Sequence, residues 1–135
     1  MMFVDDREKS CEVVEELGKL GIRAEIKRLK CGDYVDDELG LCIERKNIDD
    51  FCGSIKNGRL KSQVNRMVED YEVCFVLVEG DFKNRSSDIH INCILGMMTS
   101  LVMKGVGLVQ VADGKQMAFV IKKIVERLEE ENSVI

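Results

Sequence analysis

Three charged residues in one short stretch of this chain have the types and spacing to do chemistry: Asp33, Glu44 and Lys46. Glu44 and Lys46 stand two residues apart, so on a strand their side chains leave the same face. Asp33 precedes a short extended run, Tyr34-Val35. A polar turn, Asp37-Glu38-Leu39-Gly40, separates that run from Leu41-Cys42-Ile43-Glu44-Arg45-Lys46. Two extended runs around a Gly-ended turn read as a β-hairpin, which brings the three residues together. Two carboxylates supply hard oxygen donors for Mg2+. A metal held there polarises a phosphodiester and lowers the pKa of a bound water. A lysine beside it orients that water or stabilises negative charge growing on phosphorus. Arg45 points to the opposite face, but its backbone carbonyl lies between Glu44 and Lys46 and is available as a further metal ligand. Charged strands also produce such a pattern by chance, so the surroundings decide its meaning.

The flanking elements follow from periodicity. Phe3-Val4-Asp5 reads as a strand. Val13, Leu17 and Leu20 recur at helical spacing between Lys9 and Leu20, with Ser10 or Asp6 as the cap and Gly21 as the stop. Ile22 to Leu29 alternates apolar and charged, which predicts a half-buried strand with Ile22, Ala24 and Ile26 inward. Asn47 is placed to cap a helix ending near Asn57-Gly58, and a second helix is predicted from Arg59 to Asp70. Val73 to Val78 is a continuous apolar strand. Asp88 to Lys104 is helical in length but apolar nearly all round, which requires burial on more than one side. His90 reads as a loop residue before that helix, and the Met97, Met98 and Met103 cluster as core. Val106 to Val111 is a last strand. Asp113-x-x-Gln116 resembles a capping box before a final helix with Met117, Val120, Ile121, Ile124, Val125 and Leu128 on one stripe. Strands alternating with helices predict an α/β domain, a central mixed β-sheet flanked by helices. Residues 1–131 are expected to form that one domain, and 132–135 a frayed tail.

Composition bounds the function. The chain has 135 residues, 45% hydrophobic and 33% charged, an ordinary globular balance of one-domain size. Its net charge of −5 argues against a generic basic DNA binder, since non-specific affinity comes from Lys and Arg on phosphates. Between Glu44 and Arg66, however, six basic residues face three acidic ones, so basic character is concentrated beside the carboxylates. The six cysteines form no C-x2-C pair and the sole histidine, His90, lies apart from them, which argues against zinc and for reduced thiols. No run reaches the roughly 20 apolar residues of a membrane helix, and no basic start leads an apolar run. The expectation is a protein without membrane contact, cytoplasmic, or nuclear in a eukaryote.

The neighbours of the three charged residues complete a longer pattern. Val4-Asp5-Asp6-Arg7-Glu8, then Gly32-Asp33, then Glu44-Arg45-Lys46-x3-Asp50, then Gly58-Arg59-Leu60-x2-Gln63 closely resembles the nuclease domain of the XPF family, which includes archaeal Hef. The resemblance covers the whole chain and implies a restriction-endonuclease-like fold. It implies a metal-dependent endonuclease acting on flap, fork or other branched DNA in repair or recombination, with Mg2+ or Mn2+ as cofactor. Carried over position by position, Asp33 and Glu44 look like metal ligands, with Asp5 completing or supporting the cluster, and Lys46 looks like the catalytic lysine. Arg7, Glu8, Arg45 and Asp50 match positions where the family is sensitive to substitution, and Asp50 is also placed to satisfy N–H groups at a helix start. Arg59, Gln63 and Arg7 look like DNA contacts, Arg59 and Gln63 lying one turn apart on one helix face.

The same resemblance, together with the surplus apolar surface of Asp88–Lys104 and an off-stripe Phe119, points to a homodimer through the C-terminal helices. Family members usually carry a tandem helix-hairpin-helix module, and some a helicase. These 135 residues hold neither, which leaves three readings: a free-standing nuclease, one that borrows a separate DNA-binding partner of helix-hairpin-helix or sliding-clamp type, or a domain excised from a longer protein. The alternative function is a non-catalytic DNA-binding or scaffold subunit that dimerises with an active nuclease, although such members typically lose the residues retained here.

Overall fold

A computed structural model describes residues 1–8 and 11–133. The predicted helix start at Lys9, the alternative cap Ser10 and the terminal residues Val134 and Ile135 lie outside the described residues. Six strands form one mixed sheet: β1 (Met2–Asp5), β2 (Ala24–Lys27), β3 (Tyr34–Asp36), β4 (Leu41–Asn47), β5 (Val73–Glu79) and β6 (Gly107–Val111). Their spatial order is β2-β1-β3-β4-β5-β6. Strands β4, β5 and β6 run parallel, and β3 is antiparallel to both β1 and β4.

Five helices cover the sheet: α1 (Cys11–Lys19), α2 (Ile48–Lys56), α3 (Arg59–Asp70), α4 (Ile91–Met103) and α5 (Gly114–Ser133). The period-2 alternation of the central strands sorts the core into two halves. Val35, Cys42, Cys74, Val76 and Val78 pack with α2, α3 and α4 on one face. Tyr34, Leu41, Ile43 and Leu77 pack with α1 and α5 on the other. This is the predicted three-layer α/β arrangement, and no described helix is long and apolar enough to cross a membrane.

Local signals account for most boundaries. Asn47 Oδ1 accepts from the Asp50 N–H at 2.8 Å and starts α2. Gln116 N–H donates to Asp113 Oδ1 at 2.9 Å, and Gln116 Oε1 takes the N–H of Ala112 rather than that of Asp113. His90 caps α4 through Nδ1, which accepts from the Asn92 N–H at 3.0 Å.

The Asp6 carboxylate takes the Arg28 guanidinium at 2.6 Å, and the segment it was expected to cap before Cys11 lies outside the described residues. Three expectations need correction. Strand β2 is the sheet edge, paired with β1 alone, and its Ile26 is 66% exposed, whereas Ile22 and Ala24 pack against the α1/α5 half of the core. Helix α4 buries Ile94 and Leu101 but leaves Leu95, Val102 and Met103 exposed, so it packs on one side only. Finally, α5 continues through Ser133, whose hydroxyl donates to the Glu130 carbonyl, so Asn132 and Ser133 of the expected tail are helical.

Candidate active site

The hairpin of β3 and β4 begins at Gly32. Its φ of +77° is in the left-handed region, and a Cβ there would collide with Cys42 Sγ. Glycine is therefore required to turn the chain into Asp33. The Asp33 N–H donates to the Ile43 carbonyl at 2.8 Å, and the Asp33 carbonyl accepts from the Asp5 N–H at 2.9 Å. The side chain is fixed as well, since Asp33 Oδ2 accepts from the Arg45 N–H at 2.7 Å. In an extended residue the N–H and C=O leave the same edge of the strand. The Arg45 carbonyl therefore also faces the Asp33 side, beyond the start of β3.

Glu44 and Lys46 continue the row of Cys42 on the α2/α3 face and are 8% and 5% exposed. Lys46 Nζ lies 3.5 Å from Glu44 Oε2. Burial pushes the Asp33 carboxyl up to about 8, reinforced by the nearby carboxylates of Glu44 and Glu8. Burial raises Glu44 also, against the pull of the Lys46 ammonium. Two desolvated acids, of which Glu44 further raises Asp33, offer hard oxygen donors for a divalent cation such as Mg2+ or Mn2+.

These residues form the floor of a polar cleft with two lobes of about 300 and 590 Å³. Arg7, Asp33, Glu44 and Gln63 belong to both lobes. Asp5 lines the smaller lobe, and Glu8, Arg45, Lys46, Asp50 and Arg59 line the larger. The topology thus brings all ten sequence-predicted site residues to one cleft, though not in equivalent positions.

Asp5 is the main departure. Its carboxylate accepts from Arg7 Nε at 2.8 Å, Arg7 Nη2 at 3.2 Å, the Arg7 N–H at 3.2 Å and the Leu29 N–H at 2.8 Å. Burial opposes its ionisation, but the Arg7 and Leu29 hydrogen bonds prevail and hold it below the ordinary aspartate value. Arg7 Nη2 also donates to the Leu29 carbonyl at 2.9 Å. The Asp5–Arg7 pair is thus a clamp on the segment leading to Gly32. Among the described residues no group of three or more His, Cys, Asp or Glu side chains is arranged to hold a metal. Of the two roles expected for Asp5, completing or supporting the cluster, its hydrogen bonds to Arg7 and Leu29 fit the supporting one.

Arg45, as expected, leaves the opposite face. It pairs with Glu8 at 3.2 Å and Glu79 at 3.3 Å. Capping of α2 is done by Asn47, which leaves the Asp50 carboxylate exposed at the wall of the larger lobe. Gln63 presents a buried Oε1 with no hydrogen-bond partner among the described residues, an acceptor between the two lobes. The sequence reading did not single out Lys30, Cys31 and Arg66 as site residues, yet all three line the smaller lobe. Arg66 was detectable as the i+7 partner of Arg59; Lys30 was not, because its position depends on the Asp5–Arg7 clamp.

The ERCC4 domain profile matches residues 4–124. The chain belongs to the ERCC4 domain family. It is 33% identical over 132 residues to the 3'-flap repair endonuclease Xpf of Saccharolobus solfataricus, an alignment covering 95% of this chain and 55% of that protein. The DNA repair endonuclease XPF of Cricetulus griseus is 38% identical over 80 residues, covering 59% of this chain and 9% of the relative. The XPF from Aeropyrum pernix, solved in complex with DNA, superposes with a TM-score of 0.83 at 31% identity, covering 99% of this chain and 66% of that one. The chain therefore spans about half the length of the first of these relatives and is an XPF-type nuclease domain in fold.

Proposed function

We propose that this ERCC4 domain hydrolyses a phosphodiester of flap, fork or other branched DNA with the help of Mg2+ or Mn2+. The observation that carries the reading is the pair Asp33 and Glu44, one half-buried and one buried carboxylate lining both lobes of the cleft, with Lys46 beside Glu44. Bound to these oxygens, the cation would supply Lewis-acid polarisation of the phosphate and a water of lowered pKa. The protein's own part is positional and electrostatic. The Arg45 N–H aims the Asp33 carboxylate, and Glu44 orients the Lys46 ammonium at the floor of the larger lobe. There Lys46 stabilises charge developing on phosphorus or orients the attacking water. Arg59 and Gln63 hold the neighbouring backbone from α3.

We further propose a homodimer. The exposed Leu95, Val102 and Met103 of α4 and Phe119 of α5 flank the edge strand β6, and an isologous contact covers such a surface most simply. A helix-hairpin-helix protein or a sliding clamp would supply the additional DNA affinity. A DNA substrate and free thiols at Cys31, Cys42, Cys52, Cys74 and Cys93 fit the cytosol, or the nucleus of a eukaryote.

Cleavage of labelled flap, fork, nicked and linear DNA with Mg2+ or Mn2+, at several salt concentrations, tests the proposal. The expected result is metal-dependent cutting with preference for a branch. A chain that binds branched DNA but cuts none of these substrates would support the non-catalytic alternative.

A further inference from the structure

The cations lining the cleft fall into two groups. Arg7 is held by Asp5, Arg45 by Glu8 and Glu79, and Lys46 by Glu44. Lys30, Arg59 and Arg66 make no ion pair among the described residues, and all three are exposed. They stand on opposite sides of the carboxylates, with Arg59 in the larger lobe and Lys30 and Arg66 in the smaller.

Both lobes are bounded by α3. Leu60, Val64 and Met67 bury one side of this helix, and Arg59, Gln63 and Arg66 follow at i, i+4 and i+7 on the side facing the cleft. Seven residues of helix span about 10 Å, which is about three steps of duplex at 3.4 Å per nucleotide. Lys30 enters from the facing wall. Its predecessor Leu29 is fixed through both backbone groups, the N–H to Asp5 Oδ1 and the carbonyl to Arg7 Nη2, so the lysine is presented from a restrained backbone.

We propose that Lys30 and Arg66 form a second phosphate-binding arm, holding the backbone on the side of the scissile bond opposite Arg59. A nucleic-acid strand then crosses the whole cleft, with the phosphodiester to be cut above Asp33 and Glu44. The inference rests on the nuclease reading and extends it by fixing where the strand leaves the site.

The test uses the whole chain and a fluorescently labelled flap oligonucleotide, with binding followed by anisotropy in EDTA at several salt concentrations. Lys30→Ala and Arg66→Ala should each raise Kd at least about threefold and lower the log–log salt slope by about one. Lys115→Ala, on α5 across the sheet, should change neither. Single-turnover cleavage with Mg2+ should need at least about threefold more DNA to reach half its maximal rate in Lys30→Ala and in Arg66→Ala, and no more than the parent in Lys115→Ala. A neutral methylphosphonate placed within three nucleotides on one side of the cleavage site should weaken binding of the parent chain but not of the double variant. Unchanged Kd and slope in the double variant, with a parent chain that binds and cuts DNA, would overturn the second arm alone. Equal methylphosphonate effects in parent and double variant would do the same. A parent chain that shows no salt-dependent DNA binding would overturn the arm and the nuclease reading together.

Discussion

Asp33 shows how one side chain can be costly to the fold and useful to the site. Its carboxyl titrates near 8 rather than at the ordinary 3.8, because burial and the Glu44 and Glu8 carboxylates disfavour the charge. Between those two values the folded chain holds a proton that the unfolded chain has released, so stability falls as pH rises through that window. An Asp33→Asn side chain keeps the acceptor for the Arg45 N–H and has no charge to bury. In EDTA, thermal unfolding of the parent should therefore weaken from pH 5 to pH 8. The Asp33→Asn variant should be flatter across that range and melt several degrees higher than the parent at pH 8. Parallel melting curves would show that Asp33 carries no such penalty. At this scale the sequence revealed that Glu44 and Lys46 share a face, since two residues apart on a strand is a local fact. It did not reveal that Asp5 is consumed by Arg7 and Leu29, because Leu29 reaches it only after β1 and β2 pair.

Among the elements, the hairpin from Gly32 to Lys46 matters most, and it was readable because its turn and alternation are local signals. Gly32→Ala tests it directly. The substitution demands a left-handed alanine and places a methyl against Cys42 Sγ. It should destabilise the domain by about 1 kcal/mol or more and lower cleavage by displacing Asp33. Chemical denaturation measures the first effect, and an unchanged midpoint would show that the hairpin tolerates another conformation. Arg45 adds a cross-tie from β4 to Glu8 and to Glu79 at the end of β5. A half-buried guanidinium between two carboxylates is destabilising to break rather than stabilising to add. The readings that failed were those in which sheet order decides burial. The alternation of Ile22 to Leu29 does mark a strand, but nothing in it says that β2 is an edge with Ile26 in water. The apolar character of α4 likewise said that it needs cover, without saying that the domain supplies cover on one side only.

For the whole molecule, the uncovered side of α4 makes a prediction about assembly. Leu95, Val102 and Met103 are 51%, 58% and 83% exposed, whereas Met98 packs partly against the core and would be a poor site for a charge. Val102→Glu or Phe119→Glu should convert a dimer into a monomer in sedimentation equilibrium at micromolar concentration. A parent chain of monomer mass across that range would contradict the dimer. The alternation of strands and helices was enough to predict an α/β domain, and the motifs placed all ten expected residues around one cleft, in a protein whose net charge is −5. The central claim is that this cleft cuts DNA through Asp33 and Glu44. Single-turnover cleavage of a labelled flap substrate across a Mg2+ titration, with Asp33→Asn and Glu44→Gln beside the parent, tests it most directly. The account predicts cutting by the parent that rises with Mg2+ and vanishes in EDTA, and rates lower by about 100-fold or more in both variants with DNA binding retained. Undiminished cleavage by either variant, or full activity of the parent in EDTA, would contradict it.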